Sequence, residues 1–137
     1  MDKNLRQQVI SLARKVRAWA EERDDKQQHP SGDLNGWCAI ASGKLSRELA
    51  KNEIAHEIHV QSSDYGCHVY VVVDDHVVDV TATQFPDFRN TPVLIMHSRE
   101  AECYSFYNAS AAFTSVEQLI KYQRKQNWST NQIAYSK

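Results

Sequence analysis

The stretch GCHVYVVVDDHVVDVTATQF constrains this chain more than any other part of it. Two runs rich in β-branched residues, CHVYVVV over 67–73 and HVVDVTA over 76–82, flank Asp74 and Asp75 and predict a β-hairpin. With Asp74-Asp75 as the turn, Val73 pairs with His76, and the register places His68 opposite Thr81 and Tyr70 opposite Asp79. Opposite positions share a face and alternate positions preserve it, so His68, Tyr70, Asp79 and Thr81 point one way. His68 and Asp79 become diagonal neighbours roughly 7–8 Å apart at the backbone, within reach of an imidazole and a carboxylate. Cys67 projects to the reverse face and does not join His68 in this register. An aspartate inside so apolar a strand is costly to bury without a partner, and His68 is the partner in range.

The rest of the chain surrounds that hairpin. Leu5, Val9, Leu12, Val16 and Trp19 recur at steps of four and three, predicting an opening helix to about residue 22. Its other side carries Lys3, Arg6, Arg14, Lys15 and Arg17, read as a solvated basic face. DDKQQHPSGDLNG is a loop by its density of turn formers. Residues 38–51 form a second helix with Ala41, Leu45 and Leu49 on one face, although Gly43 weakens it. EIHVQ, PVLIMHS and CYSFY read as further strands, with Cys103 in the core. Ser115 and Gln118 form a capping box before a helix to about Gln126, and the polar tail beyond Trp128 is expected to fray. Helices first, then mainly antiparallel strands, then a closing helix make an α+β chain.

At 137 residues, with 42% hydrophobic and 24% charged, the chain is a single domain over 1–137 able to bury a core unaided. It divides into an N-terminal helix and loop (1–30), a core (31–112) and a C-terminal helix and tail (113–137). A net charge of −1 gives no general attraction to nucleic acid or membrane. The absence of a leader-like or membrane-spanning run makes the cytoplasm the expected location. Three cysteines leave at least one thiol outside any intramolecular disulfide. His56 and His59 in HEIH face opposite ways on a strand and do not share a metal. His97 carries no decisive sign. Only four glycines occur and none forms a phosphate cradle, so neither metal nor cofactor is expected.

Cys38 leaves the turn-rich loop through Gly36 and Trp37 and opens a run of small residues, which places it at a helix N-terminus. Free amides and the positive end of the helix dipole favour negative charge there, on a thiolate or on the oxyanion of a tetrahedral intermediate. A thiol nucleophile needs a base, and the base needs an orienting group. Cys38, His68 and Asp79 supply all three. Singly, each also has an ordinary structural reading.

The ordered set GWC, then HVYVVV, then DVTATQF resembles the transglutaminase-like, papain-like cysteine enzyme superfamily over about residues 34–88. Members show G-x-C, H-x-W-V-x-V and D-x-T. The resemblance implies Cys38 as nucleophile, His68 as base and acid, Asp79 as orienter, and a cysteine-bearing helix against an antiparallel sheet. Tyr70 stands where the family has tryptophan. Gly32 stands where papain itself has its oxyanion glutamine, so the hole would use backbone amides with Asn35, Gln27, Gln28 or Gln84. Trp37 could wall the substrate groove or pack beneath the helix. The implied activity is thiol-dependent hydrolysis of an amide bond in a peptide or protein, of peptidase, isopeptidase or deamidase type. Acyl transfer of the transglutaminase kind and a non-catalytic binding module are the alternatives.

Overall fold

The computed structural model describes residues 1–64 and 66–134. Among them, four α-helices accompany one five-stranded antiparallel sheet, an α+β architecture. The first helix, α1, spans Lys3–Asp25 and is capped by Asp2, whose side chain accepts from the Leu5 amide. α2 spans Cys38–Lys51. The strands are β1 (Glu57–Ser63), β2 (Gly66–Val73), β3 (His76–Asp79), β4 (Leu94–His97) and β5 (Ala111–Phe113), in the order β4-β3-β2-β1-β5. Helix α3 (Ser98–Ala101) follows β4, and α4 (Val116–Lys125) follows β5.

The hairpin register matches expectation: Val73 pairs with His76, Val72 with Val77 and Val71 with Val78. Asp74 and Asp75 both have positive φ, 47° and 60°. That is the left-handed pair a tight two-residue hairpin turn demands. β3 ends at Asp79 rather than continuing to Ala82, so Thr81 does not enter the ladder opposite His68. Asp79 itself stops the strand, because its Oδ1 accepts from both the Thr81 amide (2.9 Å) and the Thr81 hydroxyl (3.2 Å). This local turn replaces ladder bonding and leads into the 3₁₀ turn Ala82–Gln84.

Alternation along β2 gives the sheet two buried faces. Val69, Val71 and Val73 pack toward the helices, with Leu45 and Leu49 of α2, Val9 and Val16 of α1, and Leu119 of α4. Tyr70 and Val77 face a second cluster built from Phe88, Leu94 and Tyr107. Gly43 lets α2 meet the C-terminal segment closely, since a Cβ there would lie 3.1 Å from the Cβ of Ala134.

Four expectations are corrected. CYSFY is not a strand: Ser105–Tyr107 is a 3₁₀ turn and Cys103 is exposed, its thiol donating to the Glu100 carbonyl. Its aromatic rings cover the second sheet face, and that packing overrides strand propensity. β1 pairs with β2 on one side and with β5 on the other, where Ile58 lies opposite Phe113. Arg17 is not solvated but buried, its guanidinium bonded to the Val80 carbonyl and the Thr83 hydroxyl. The tail is docked through residue 134: buried Gln123 donates to the Gln132 carbonyl and accepts from the Ala134 amide. Residues 135–137 of the tail lie outside the described residues. No helix among the described residues is long and apolar enough to cross a membrane.

Candidate active site

The three residues singled out above converge at the end of the sheet where β3 stops. Beyond Asp79 the ladder opens, and helix side chains take over its carbonyls. Ser42 of α2 donates to the Val69 carbonyl at 3.0 Å, while Arg17 of α1 serves the Val80 carbonyl. Cys38 lies one helical turn before Ser42 on the same face, and His68 directly precedes Val69. One hydrogen bond thus brings the tip of α2 to the imidazole, although His68 belongs to the sheet face away from the helices.

The loop that aims α2 is organised by a carboxylate. Asp24, buried at the end of α1, accepts from the amides of Ser31 and Gly32, the Ser31 hydroxyl and the Trp37 indole N–H, all within 3.0 Å. Burial opposes its ionisation, yet these donors outweigh burial and hold the carboxyl below its ordinary range. Gly32 and Gly36 adopt positive φ in this loop. Trp37 is therefore committed to packing: it joins the α1–α2 core and leaves the cleft wall to others. As N-cap of α2 it makes no side-chain cap bond, which leaves the first-turn amides beside Cys38 without a cap from that residue.

His68 is 2% exposed and Asp79 fully buried, with His68 Nε2 and Asp79 Oδ2 2.7 Å apart. Burial disfavours a charged ring, but the Asp79 carboxylate, followed by the Cys38 sulfur, reverses that and raises the imidazole to about 10. Asp79 in turn resists burial through the charge and N–H of His68, the Tyr107 hydroxyl at 2.6 Å and the Thr81 amide, which keep its carboxyl lowered. With Nε2 bound to Asp79, Nδ1 is the nitrogen left for the cleft. Phe85 meets the ring edge-on at 4.7 Å and stacks on Phe106 at 3.7 Å, shielding the ion pair.

Cys38, 7% exposed, and His68 line one open cleft of about 1000 Å³. Gln84 and Asn35 line it too. Gln84 donates to the carbonyl and hydroxyl of Thr81 (3.0 and 3.2 Å), and its amide nitrogen stands 3.5 Å from His68 Nδ1. Gln27 and Gln28 are exposed outside the cleft, and Gln27 turns back onto the Arg23 carbonyl. Tyr70 is also outside it: buried, it donates to the Tyr107 carbonyl at 2.9 Å and so helps place Tyr107. Cys67 alternates away from His68 but still borders the cleft, because β2 begins at its mouth. Its sulfur lies 3.5 Å from the Ser62 hydroxyl. His56 bonds Ser46, His59 bonds Glu57, and His97 accepts from the Arg99 amide, so each has a local structural partner.

Sequence reasoning missed Tyr107 and Trp128. Tyr107 was hidden in the misread CYSFY segment. Trp128, which lines the cleft beyond α4, directly precedes the tail expected to fray and was given no role, although a tryptophan amid polar residues is itself a signal of docking. Comparison of the chain with protein-family models, curated proteins and solved structures finds no match.

Proposed function

We propose that the chain has the transglutaminase-like, papain-like core and is a thiol-dependent amide-bond hydrolase acting on peptide or protein substrates. One observation carries this reading: a cysteine at the uncapped tip of α2 shares a cleft with a histidine whose far nitrogen is held by a buried aspartate. The Cys38 thiolate attacks the amide carbon, forming a C–S bond while the carbonyl electron pair moves onto oxygen. First-turn amides of α2, with Gln84 or Asn35 beside them, face that oxyanion. Collapse breaks the C–N bond, and His68 Nδ1 gives its proton to the departing amine. The neutral ring then takes a proton from water, hydroxide attacks the thioester, and the thiolate leaves with the carboxylic acid as product. Asp79 stays ionised throughout and fixes which nitrogen faces the substrate. Three free thiols fit a reducing compartment such as the cytoplasm.

An activated acyl ester tests the reading by trapping the intermediate. Mass spectrometry is expected to find one acyl group on Cys38, formed in the native chain and lost in His68→Ala. Acylation that ignores His68, or that falls equally on Cys67 and Cys103, would remove the basis for a catalytic thiol. Capture of the acyl group by added amine in preference to water would move the assignment to acyl transfer.

A further inference from the structure

The cleft has an unusual chemical character for a chain that is 24% charged. Among the described residues, no Asp, Glu, Lys or Arg lines it. Its polarity comes instead largely from carboxamides: Asn35, Gln61, Gln84, Gln126, Asn127 and Gln132. Apart from these, Phe85, Phe106 and Trp128 supply aromatic surface. The ionisable groups present are thiols and the His68 ring, and the ring's charge is already compensated by Asp79.

The geometry points to an uncharged peptide segment as the acyl donor, so that neutral residues beside the scissile amide define the substrate class. The inference rests on the hydrolase reading above. A carboxamide both donates and accepts, which matches the N–H and C=O of a peptide group without a net field. A carboxylate or ammonium entering the cleft would give up hydration and meet no uncompensated counter-charge among the described lining residues. Selection therefore works by exclusion of charge, as much as by attraction of the right group. The amide chemistry favours a peptide over a neutral glycan, whose rings could also stack on Trp128.

Peptidyl vinyl sulfones that differ only in the residue beside the electrophile test this on the full chain. Labelling of Cys38 is followed by intact mass, with a small neutral electrophile lacking any peptide run alongside. The neutral-residue probe is expected to label at least about tenfold faster than its Glu and Lys counterparts. Gln126 is exposed on the cleft rim. Gln126→Lys should raise the Glu-to-Lys probe ratio, and Gln126→Glu should lower it. Equal labelling by all three peptidyl probes, while the small electrophile still selects Cys38, would overturn the inference and leave the thiol site standing. Failure of the small electrophile to select Cys38 would overturn both. Faster labelling by a probe carrying a neutral oligosaccharide in place of the peptide would overturn the peptide class.

Discussion

Tyr107→Phe deletes one hydroxyl from the buried network and leaves the ring in place. That hydroxyl donates to Asp79 Oδ2 at 2.6 Å, the same oxygen that His68 Nε2 reaches at 2.7 Å. A hydrogen bond to a charged group contributes about 1.5–3 kcal/mol, and water cannot replace the donor beside a fully buried carboxylate. The expected loss is thus ~2 kcal/mol at pH 7, read from urea unfolding as a shifted midpoint at unchanged slope. Its pH dependence supplies a second check. Burial raises the Asp79 carboxyl, but His68, Tyr107 and Thr81 together lower it below its ordinary 3.8. A carboxylate depressed in the folded state contributes stability above the unfolded value and loses it as pH falls through the folded one. The variant's deficit should therefore hold constant through neutral pH and shrink only in acid, below about 3.8. A deficit under ~0.5 kcal/mol at pH 7, or one that persists undiminished in acid, would refute the idea that Tyr107 serves the Asp79 charge.

Three further outcomes follow from the same geometry. His68 is raised to about 10, chiefly by Asp79 against the effect of burial, so its pairing stabilises fully below the ordinary value of 6.5 and is lost as pH rises toward 10. Thermal unfolding at pH 6, 8 and 10 should show that decline, and the difference between native chain and His68→Gln should narrow across it; a constant difference would contradict the shift. Asp24→Ala strips four donors of their acceptor and should cost about 3 kcal/mol in urea unfolding. It should also slow Cys38 acylation from outside the cleft, and unchanged acylation would separate the loop from the site. Gly43→Val forces atoms into space where a Cβ alone meets Ala134 at 3.1 Å, and should lower stability by about 1–3 kcal/mol in the same assay. An unaltered midpoint would mean that the C-terminal segment is not seated there.

The hairpin was legible because its information is local. Alternating β-branched residues fix the faces and the Asp-Asp pair fixes the turn, so the shared face of His68 and Asp79 followed from register alone. The position of Cys38 was legible for a similar reason: a turn-rich loop ends and small helix formers begin. What escaped was decided by contacts distant in sequence. Arg17 resembles its basic neighbours until Val80 and Thr83 arrive from the sheet end. The small residues Ala13 and Ala20 around it, and Asp24 further along, were the trace of a face pressed against something. Tyr107 looked like one more aromatic of a strand, and its service to Asp79 required the chain to turn back over the second sheet face. Asp79 ended its own strand through Thr81, a local bond that strand propensity over 76–82 concealed.

Competitive alkylation at pH 5.5 compares the site with references inside the same molecule. All three thiols are free, but Cys67 and Cys103 are exposed whereas Cys38 is buried, with 7% of its surface exposed. An ordinary thiol is only about 0.1% thiolate at that pH, so exposure alone would favour the two surface cysteines. If imidazolium at position 68 pairs with sulfur at position 38, a limiting dose of small electrophile will modify Cys38 first, and His68→Ala will hand that priority to Cys67 and Cys103. Preferential modification of the surface thiols in the native chain would contradict the account at its root.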